Sequence, residues 1–186
     1  TICAYNTYTL SGSRGGSATS STWSTAGTGT FNDSSLLAAT YTPSSADTTA
    51  GSVTLTITTN DPDGVGPCPA ATDIMILSFT PADNPLFIYS SATYCQSGTD
   101  PTPVISGTPG GTFTSTPAGL SINPVTGTID LSLSDTLTYA ITYTTSGACP
   151  DSSTTSVTIT DAPDATFSYS GPFCQGGSNP LPTFPP

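Results

Sequence analysis

Regular alternation of apolar and polar residues over short runs is the main local signal in this sequence. The clearest runs are Ser52–Thr58 (SVTLTIT) and Leu137–Thr144 (LTYAITYT), in which every second side chain is aliphatic or aromatic. Shorter runs are Asp73–Phe79 and Ser156–Thr160. Successive side chains of a strand point to opposite faces, so this period predicts half-buried antiparallel strands.

Composition extends the prediction of strands to the whole chain. The 186 residues include no Glu, Lys or His, while Gly and Pro number 18 each and Thr and Ser supply most polar side chains. Helices draw on Glu, Lys and Arg for their surfaces, whereas short hydroxyl side chains suit pleated surfaces and turns. The sequence therefore predicts an all-β protein.

The charge balance excludes several classes of function. The net charge is -11, every acidic residue is Asp, and Arg14 is the single basic residue. Binding to nucleic acid or to an anionic membrane surface needs Lys and Arg, so neither partner is expected. No apolar run reaches the roughly 18 residues of a membrane helix. Without His, Lys or Glu, only Asp pairs in turn-like contexts could act as acid and base, and we expect no catalysis.

An internal repeat organises the chain. The sequence Cys95-Gln96-Ser97-Gly98 recurs 79 residues later as Cys174-Gln175-Gly176-Gly177. A second repeated motif relates Gly66-Pro67-Cys68-Pro69 to Gly147-Ala148-Cys149-Pro150. Such self-similarity is the signature of tandem modules. We predict β-sandwich repeats at 1–83 and 84–163, and the first strands of an incomplete third repeat at 164–186, so that the chain is a segment of a longer array.

Five cysteines in a Ser/Thr-rich chain without His indicate disulfides in an oxidising compartment. The repeat frame predicts one bond within each sandwich, Cys3–Cys68 and Cys95–Cys149. Cys174 then has no partner within the chain. Each bond would stabilise a small domain whose apolar core alone gives only marginal stability.

Two stretches resemble repeats of a known kind. Thr112–Asp130 contains Pro-Ala-Gly-Leu-Ser-Ile-Asn followed by Thr-Gly-Thr-Ile, which is similar to a signature of bacterial immunoglobulin-like and cadherin-like repeats. Ser17–Thr42 resembles another repeat type of the same proteins. Both resemble modules of the giant SprB-like surface adhesins of gliding, type IX-secreting bacteria. The resemblance implies immunoglobulin-like sandwiches in an extracellular array at the cell surface that serves attachment, gliding or filament formation.

Trp23 lies between Cys3 and Cys68, as a core tryptophan does in immunoglobulin domains. A lone Trp can also stack against a sugar ring. We favour the core position. If Trp23 instead binds a sugar, the alternative function is a carbohydrate-binding module of a secreted multidomain protein.

The loop Asn60-Asp61-Pro62-Asp63-Gly64 offers oxygen ligands of the kind that calcium prefers. Asn60, Asp61 and Asp63 are therefore candidate calcium ligands. The same residue types are also what a plain turn requires. No cofactor is required by the sequence, and calcium is the one candidate.

Two short motifs resemble an O-glycosylation signal of type IX-secreting bacteria. They are Asp47-Thr48-Thr49 and Asp135-Thr136-Leu137, which make Thr48 and Thr136 candidate acceptors. Each motif also precedes a predicted strand, where a polar turn is ordinary.

The function expected from these observations is structural and adhesive. The repeats would act as a stiff spacer or as protomer modules of a large extracellular bacterial filament or adhesin, in contact with surfaces or prey. The expected partners are neighbouring repeats of the same polypeptide, further copies in a filament, and surface glycans.

Overall fold

The computed structural model describes residues 1–165 and residues 168, 175, 177 and 181. The predicted opening of a third repeat, with Cys174, therefore lies almost wholly outside the described residues. Strands dominate the described part, and the assignment to the all-β class is confirmed. The elements in chain order are β1 Ile2–Cys3, β2 Tyr8–Thr9, β3 Ser21–Thr25, β4 Thr30–Phe31, β5 Thr40–Thr42, α1 Ser45–Ala50, β6 Ser52–Thr59, β7 Thr72–Thr80, β8 Phe87–Ile88, β9 Thr93–Cys95, β10 Val104–Ile105, β11 Thr112–Thr116, β12 Ser121–Ile122, β13 Ile129–Asp130, β14 Thr138–Thr144 and β15 Ser152–Thr160.

The strands from β1 to β7 form one sandwich, which we call the first repeat. One sheet has the order β1-β7-β6-β3 and the other the order β2-β5-β4. The alternation of β6 turns Val53 and Leu55 inward, where they pack with Leu77 of β7, Tyr41 of β5 and Trp23 of β3. All buried members of this core come from the first repeat.

The strands from β8 to β15 form a second sandwich, the second repeat. Its main sheet has the order β11-β14-β15-β9, and two small sheets pair β10 with β8 and β12 with β13. Tyr139, Ile141 and Tyr143 of β14 point inward, as the alternation predicts. Phe113 lies with its ring centroid 4.6 Å from that of Tyr143, and Phe87 lies 5.3 Å from Phe113. The two repeats thus have separate apolar cores, and the tandem sandwich architecture is confirmed.

The single helix of the described residues begins in a polar cluster around Asp47. Ser44 caps α1 and accepts from the backbone N–H of Asp47, while the Asp47 carboxylate accepts from the N–H of Ser44. This is a capping box. The buried carboxylate also accepts from the N–H groups of Thr28 and Gly29 and from the Tyr41 hydroxyl, at 2.8 to 3.0 Å. Asp47 therefore joins α1 to the loop between β3 and β4.

We expect the first repeat to lose stability between about pH 4 and pH 2. Burial alone would raise the pKa of Asp47, but hydrogen bonds from Ser44, Thr28 and Tyr41 outweigh it and lower the pKa from 3.8 to about 2. Because the folded pKa is depressed, the stabilisation is complete above the unfolded value and disappears as the carboxylate protonates at lower pH. The loss corresponds to about 2 kcal/mol.

Urea unfolding followed by Trp23 fluorescence measures this loss selectively, because Trp23 is the only tryptophan and lies in the first repeat. An NMR titration of the Asp47 carboxyl carbon gives its pKa directly. A midpoint at or above 3.8 would contradict the expectation.

No helix among the residues that the structure describes is long and apolar enough to cross a membrane.

Candidate functional site

The first strand of the first repeat places Cys3 at the end where the chain leaves that repeat. Strand β1 runs parallel to the closing strand β7, with Ile2 opposite Phe79 and Cys3 opposite Thr80. The backbone N–H of Ala4 continues the ladder to the Thr80 carbonyl at 2.9 Å. Thr80 is the last residue of β7. Cys3 therefore faces the linker to the second repeat.

The hairpin between β14 and β15 places Cys149 on the other side of the same linker. Thr145 closes the hairpin loop, because its backbone N–H donates to the Asp151 carbonyl and its hydroxyl oxygen accepts from the Asp151 N–H, each at 2.9 Å. Cys149 lies inside this loop and is only 2% exposed.

A disulfide bond joins Cys3 to Cys149 across the two repeats. The two Cα atoms are 5.5 Å apart, although 146 residues separate them in sequence. Cys68 and Cys95 are free thiols in the structure. The predicted pairs Cys3–Cys68 and Cys95–Cys149, and with them one disulfide in each sandwich, are therefore wrong.

The direction of the first strand explains the error. Cys68 lies in the loop before β7, whereas Cys3 lies beside the last residue of β7. A strand of nine residues separates these positions by roughly 26 Å at about 3.3 Å per residue, and a disulfide needs Cα atoms within about 7 Å. The same length of β15 separates Cys149 from Cys95, which lies opposite Thr160. Each repeat thus carries its two cysteines at opposite ends.

Polar contacts hold the linker against the hairpin of the second repeat. The backbone N–H of Asp83 donates to the Cys149 carbonyl, and the Asp83 carboxylate accepts from the N–H of Gly147, both at 2.8 Å. A Cβ atom at Gly147 would collide with that carboxylate, so a larger residue here would displace the Asp83 side chain from this contact. The Tyr5 hydroxyl also donates to the Pro150 carbonyl at 3.0 Å. We call the disulfide and these contacts the junction.

Replacing Asp83 tests whether the linker positions the two cysteines. We expect Asp83→Ala to lower the effective concentration of the Cys3 and Cys149 thiols for each other about tenfold, because a charge-assisted hydrogen bond contributes about 1.5 kcal/mol. The matched control is Asp161→Ala, at the exposed position that follows the second repeat.

Equilibration of both variants in glutathione redox buffers, followed by peptide mapping, gives the effective concentration. Equal values for wild type and Asp83→Ala would show that the linker carboxylate has no part in the junction.

The oxygens of the candidate calcium ligands accept hydrogen bonds from backbone N–H groups. Asn60 accepts from the N–H groups of Thr19 and Ser20, at 2.9 and 2.8 Å. Asp61 accepts from the N–H of Gly64 at 2.8 Å, and Asp63 from the N–H of Cys68 at 3.3 Å. Across the described ranges, no group of three or more Asp, Glu, His or Cys side chains is arranged to hold a metal ion. Asp61 and Asp63 thus act as turn formers, Asn60 joins the loop to the segment before β3, and calcium binding here stays a prediction.

Trp23 belongs to the core of the first repeat, as favoured above. It is 7% exposed, and its indole N–H donates to the Leu36 carbonyl at 3.0 Å. The indole ring is packed in the core and offers no open face on which a sugar ring could stack.

The candidate glycosylation residues lie in different settings. Thr48 is half-buried in α1 and its hydroxyl donates to the Ser45 carbonyl at 3.1 Å. Thr136 is exposed in the turn before β14. Glycosylation of either residue stays a prediction.

Sequence reasoning did not find the structural roles of Asp47 and Asp83. Ser44-Ser45-Ala46-Asp47 has the spacing of a capping box, so Asp47 had a local signal. Asp83 had a weaker signal: an Asp follows Thr80 by three residues and recurs as Asp164, four residues after Thr160.

No family model matches the sequence. No curated protein matches it either. Among solved structures, the chain is similar to mouse cadherin-23 EC22–24, with 16% identity over 92% of this chain and 66% of that chain, at a TM-score of 0.39. It is also similar to Drosophila N-cadherin EC1–4, with 12% identity over 77% of this chain and 41% of that chain, at a TM-score of 0.37. The chain thus spans less than two thirds of either structure, and the fold assignment above depends on the chain's own sheets and cores.

Proposed function

We propose that this chain is a stiff, load-bearing segment of a large extracellular bacterial filament or adhesin at the cell surface, without catalytic activity. The observation that carries the proposal is the Cys3–Cys149 bond, which joins one sandwich to the next. A bond inside a single sandwich would stabilise that sandwich alone. A bond between sandwiches fixes how they follow each other, which is a property of use to a spacer.

The bond determines which part of the chain bears tension. A force applied along the polypeptide enters at Thr1, crosses from Cys3 to Cys149, and leaves through β15. Residues 4–148 lie within the covalent loop and carry none of that force. They include the whole of the first core and most of the second. The first sandwich is thereby protected from mechanical extension, and in the second only β15 remains under load.

The linker also restricts bending between the repeats. The chain and the disulfide form two separate connections across the same junction, and Asp83 adds two hydrogen bonds. Pro81 and Pro85 limit the backbone further, because proline fixes its own φ angle. Two connections with a short, proline-containing linker favour a rod over a flexible string.

Composition supports an exposed, long-lived location. Disulfides persist in oxidising surroundings outside the cytosol. Arg14 is the single site for a trypsin-like protease, and a net charge of -11 disfavours non-specific association. The resemblance of Thr112–Asp130 to repeats of gliding, type IX-secreting bacteria supports, within this proposal, a surface adhesin of that kind. Glycans on Thr48 or Thr136 belong to the same proposal.

Single-molecule pulling tests the function. The full chain is held at its two ends, and the oxidised form is compared with a Cys3→Ala/Cys149→Ala variant. The loop of 146 residues corresponds to about 500 Å of extended chain. We expect the oxidised protein to lack this length on extension and the double variant to show it.

The matched control is Cys68→Ala/Cys95→Ala, which removes the two free thiols and should extend like the oxidised wild type. Full extension of the oxidised wild type would exclude a load-bearing role for the bond.

A further inference from the structure

Cys95 occupies in the second repeat the place that Cys3 occupies in the first. Cys95 lies opposite Thr160 at the end of β15, as Cys3 lies opposite Thr80 at the end of β7. The next backbone N–H, that of Gln96, donates to the Thr160 carbonyl at 3.0 Å, which matches the bond from Ala4 to Thr80. The N–H three residues after each cysteine donates back to the carbonyl of that cysteine, at 2.8 and 2.9 Å. Cys95 is half-buried and lies at the exit end of the second repeat, where its thiol donates to the Asp161 carbonyl at 3.1 Å.

Cys68 occupies in the first repeat the place that Cys149 occupies in the second. Thr59 and Ala71 close the β6–β7 loop through the same three hydrogen bonds by which Thr145 and Asp151 close the β14–β15 loop. In both loops a glycine lies two residues before the cysteine and a proline follows it. Cys149, which has its partner, is 2% exposed, whereas Cys68 is exposed.

The loop around Cys68 also accommodates a carboxylate as the loop around Cys149 does. Gly147 packs against the Asp83 carboxylate of the linker. Gly66, at the matching position, packs against the carboxylate of Asp63 from its own loop, which accepts from the Cys68 N–H. A linker aspartate from a preceding repeat could replace Asp63 there. Asp164 follows the second repeat much as Asp83 follows the first.

We infer that Cys68 and Cys95 are complementary attachment points through which repeats of this kind are joined end to end by disulfide bonds. The partner of Cys95 is the hairpin cysteine of a following repeat, for which a second copy of this chain, presenting Cys68, is the probe. The bond between copies reproduces the Cys3–Cys149 junction. The inference rests on the proposed function and extends it from one junction to every junction of an array.

The bond forms by two thiol–disulfide exchanges with a small disulfide such as oxidised glutathione. The Cys95 thiolate attacks one glutathione sulfur, which gives a mixed disulfide and releases one reduced glutathione. The Cys68 thiolate of the second copy then attacks the Cys95 sulfur and releases the other. Two protein thiols are oxidised, and one glutathione disulfide is reduced to two thiols.

A pairing experiment with two full-length variants tests the inference. Both carry Cys174→Ala; one also carries Cys68→Ala and presents only Cys95, and the other also carries Cys95→Ala and presents only Cys68. One variant is labelled with ¹⁵N, equal amounts are mixed in glutathione redox buffer, and covalent dimers are counted by mass. We expect the mixed dimer to exceed each homodimer about tenfold.

Random coupling gives a mixed dimer only twice as abundant as each homodimer, and that ratio would overturn the inference. Recovery of glutathionylated monomers alone would overturn it as well. In concentrated urea the ratio should return to two, because the preference comes from the folded junction. Substitution of Cys68 or Cys95 leaves both cores untouched, and Cys→Ser versions serve if either Ala variant is poorly folded.

A peptide map of the same samples separates this inference from the proposed function. If Cys3–Cys149 is present and the dimers are random, end-to-end joining fails while the proposed function stands. If Cys3–Cys149 is itself missing, the proposed function fails.

Discussion

Asp47→Ala should destabilise the first repeat by about 4 kcal/mol. The substitution removes the acceptor of three backbone N–H groups, those of Thr28, Gly29 and Ser44, and of the buried Tyr41 hydroxyl. A buried donor left without an acceptor costs about 1–3 kcal/mol, and water entering the small space beneath Gly27 recovers only part of that. A loss of this size is a large share of the stability of a small domain.

The measurement is urea unfolding followed by Trp23 fluorescence. Asp33→Ala is the matched control, since Asp33 accepts two hydrogen bonds from Ser35 but lies on the surface. Its loss should stay below about 1 kcal/mol, as is usual for exposed positions. A similar loss for both variants would show that Asp47 contributes no more than an ordinary turn aspartate.

The long strands of both sandwiches were predictable because they are long enough to show their period. Ser52–Thr58 became β6, Ser52–Thr59, and Leu137–Thr144 became β14, Thr138–Thr144. Their inward residues are the ones that the alternation selects. Nine further strands of the described residues are only two or three residues long, and no period can be read in them. They are β1, β2, β4, β5, β8, β9, β10, β12 and β13.

The cysteine pairing shows where sequence reasoning failed. The repeat frame relates Cys3 to Cys95 and Cys68 to Cys149 correctly, as the matching hydrogen bonds indicate. It does not reveal whether the first strand runs parallel or antiparallel to the closing strand. A parallel first strand places its cysteine about one strand length from the hairpin of its own repeat, and next to the hairpin of the following one. The proposed tension-bearing function therefore depends on the disulfide bond between the repeats, and not on the predicted disulfide bond within each repeat.

The candidate site was only partly predictable for a related reason. Cys3 and Cys149 were recognised as disulfide cysteines, but the linker contact between Asp83 and Gly147 depends on how two sandwiches meet. Local turn chemistry, in contrast, is visible in sequence. It accounts for Asp61 and Asp63, whose carboxylates accept from backbone N–H groups of their own loop.

Removing the bond between the repeats should cost each repeat between about 4 and 5 kcal/mol. If the first repeat unfolds alone, its chain is a loop with both ends held on the second repeat, one through Cys149 and one through the linker. If the second repeat unfolds alone, residues from the linker to Cys149 form a similar loop on the first. Closing a loop of this size in the unfolded state accounts for the estimate. The variant Cys3→Ser/Cys149→Ser frees both loops.

Thermal unfolding should therefore begin roughly 16–40 °C lower in that variant, since 1 kcal/mol shifts the midpoint of a domain of this size by about 4–8 °C. Trp23 fluorescence reports the first repeat, and the tyrosine signal in near-ultraviolet circular dichroism reports mainly the second, whose core contains Tyr139 and Tyr143. Cys68→Ser/Cys95→Ser is the control and should leave both midpoints in place for the monomer. A fall confined to one repeat would contradict the argument, because the bond closes a loop around whichever sandwich unfolds.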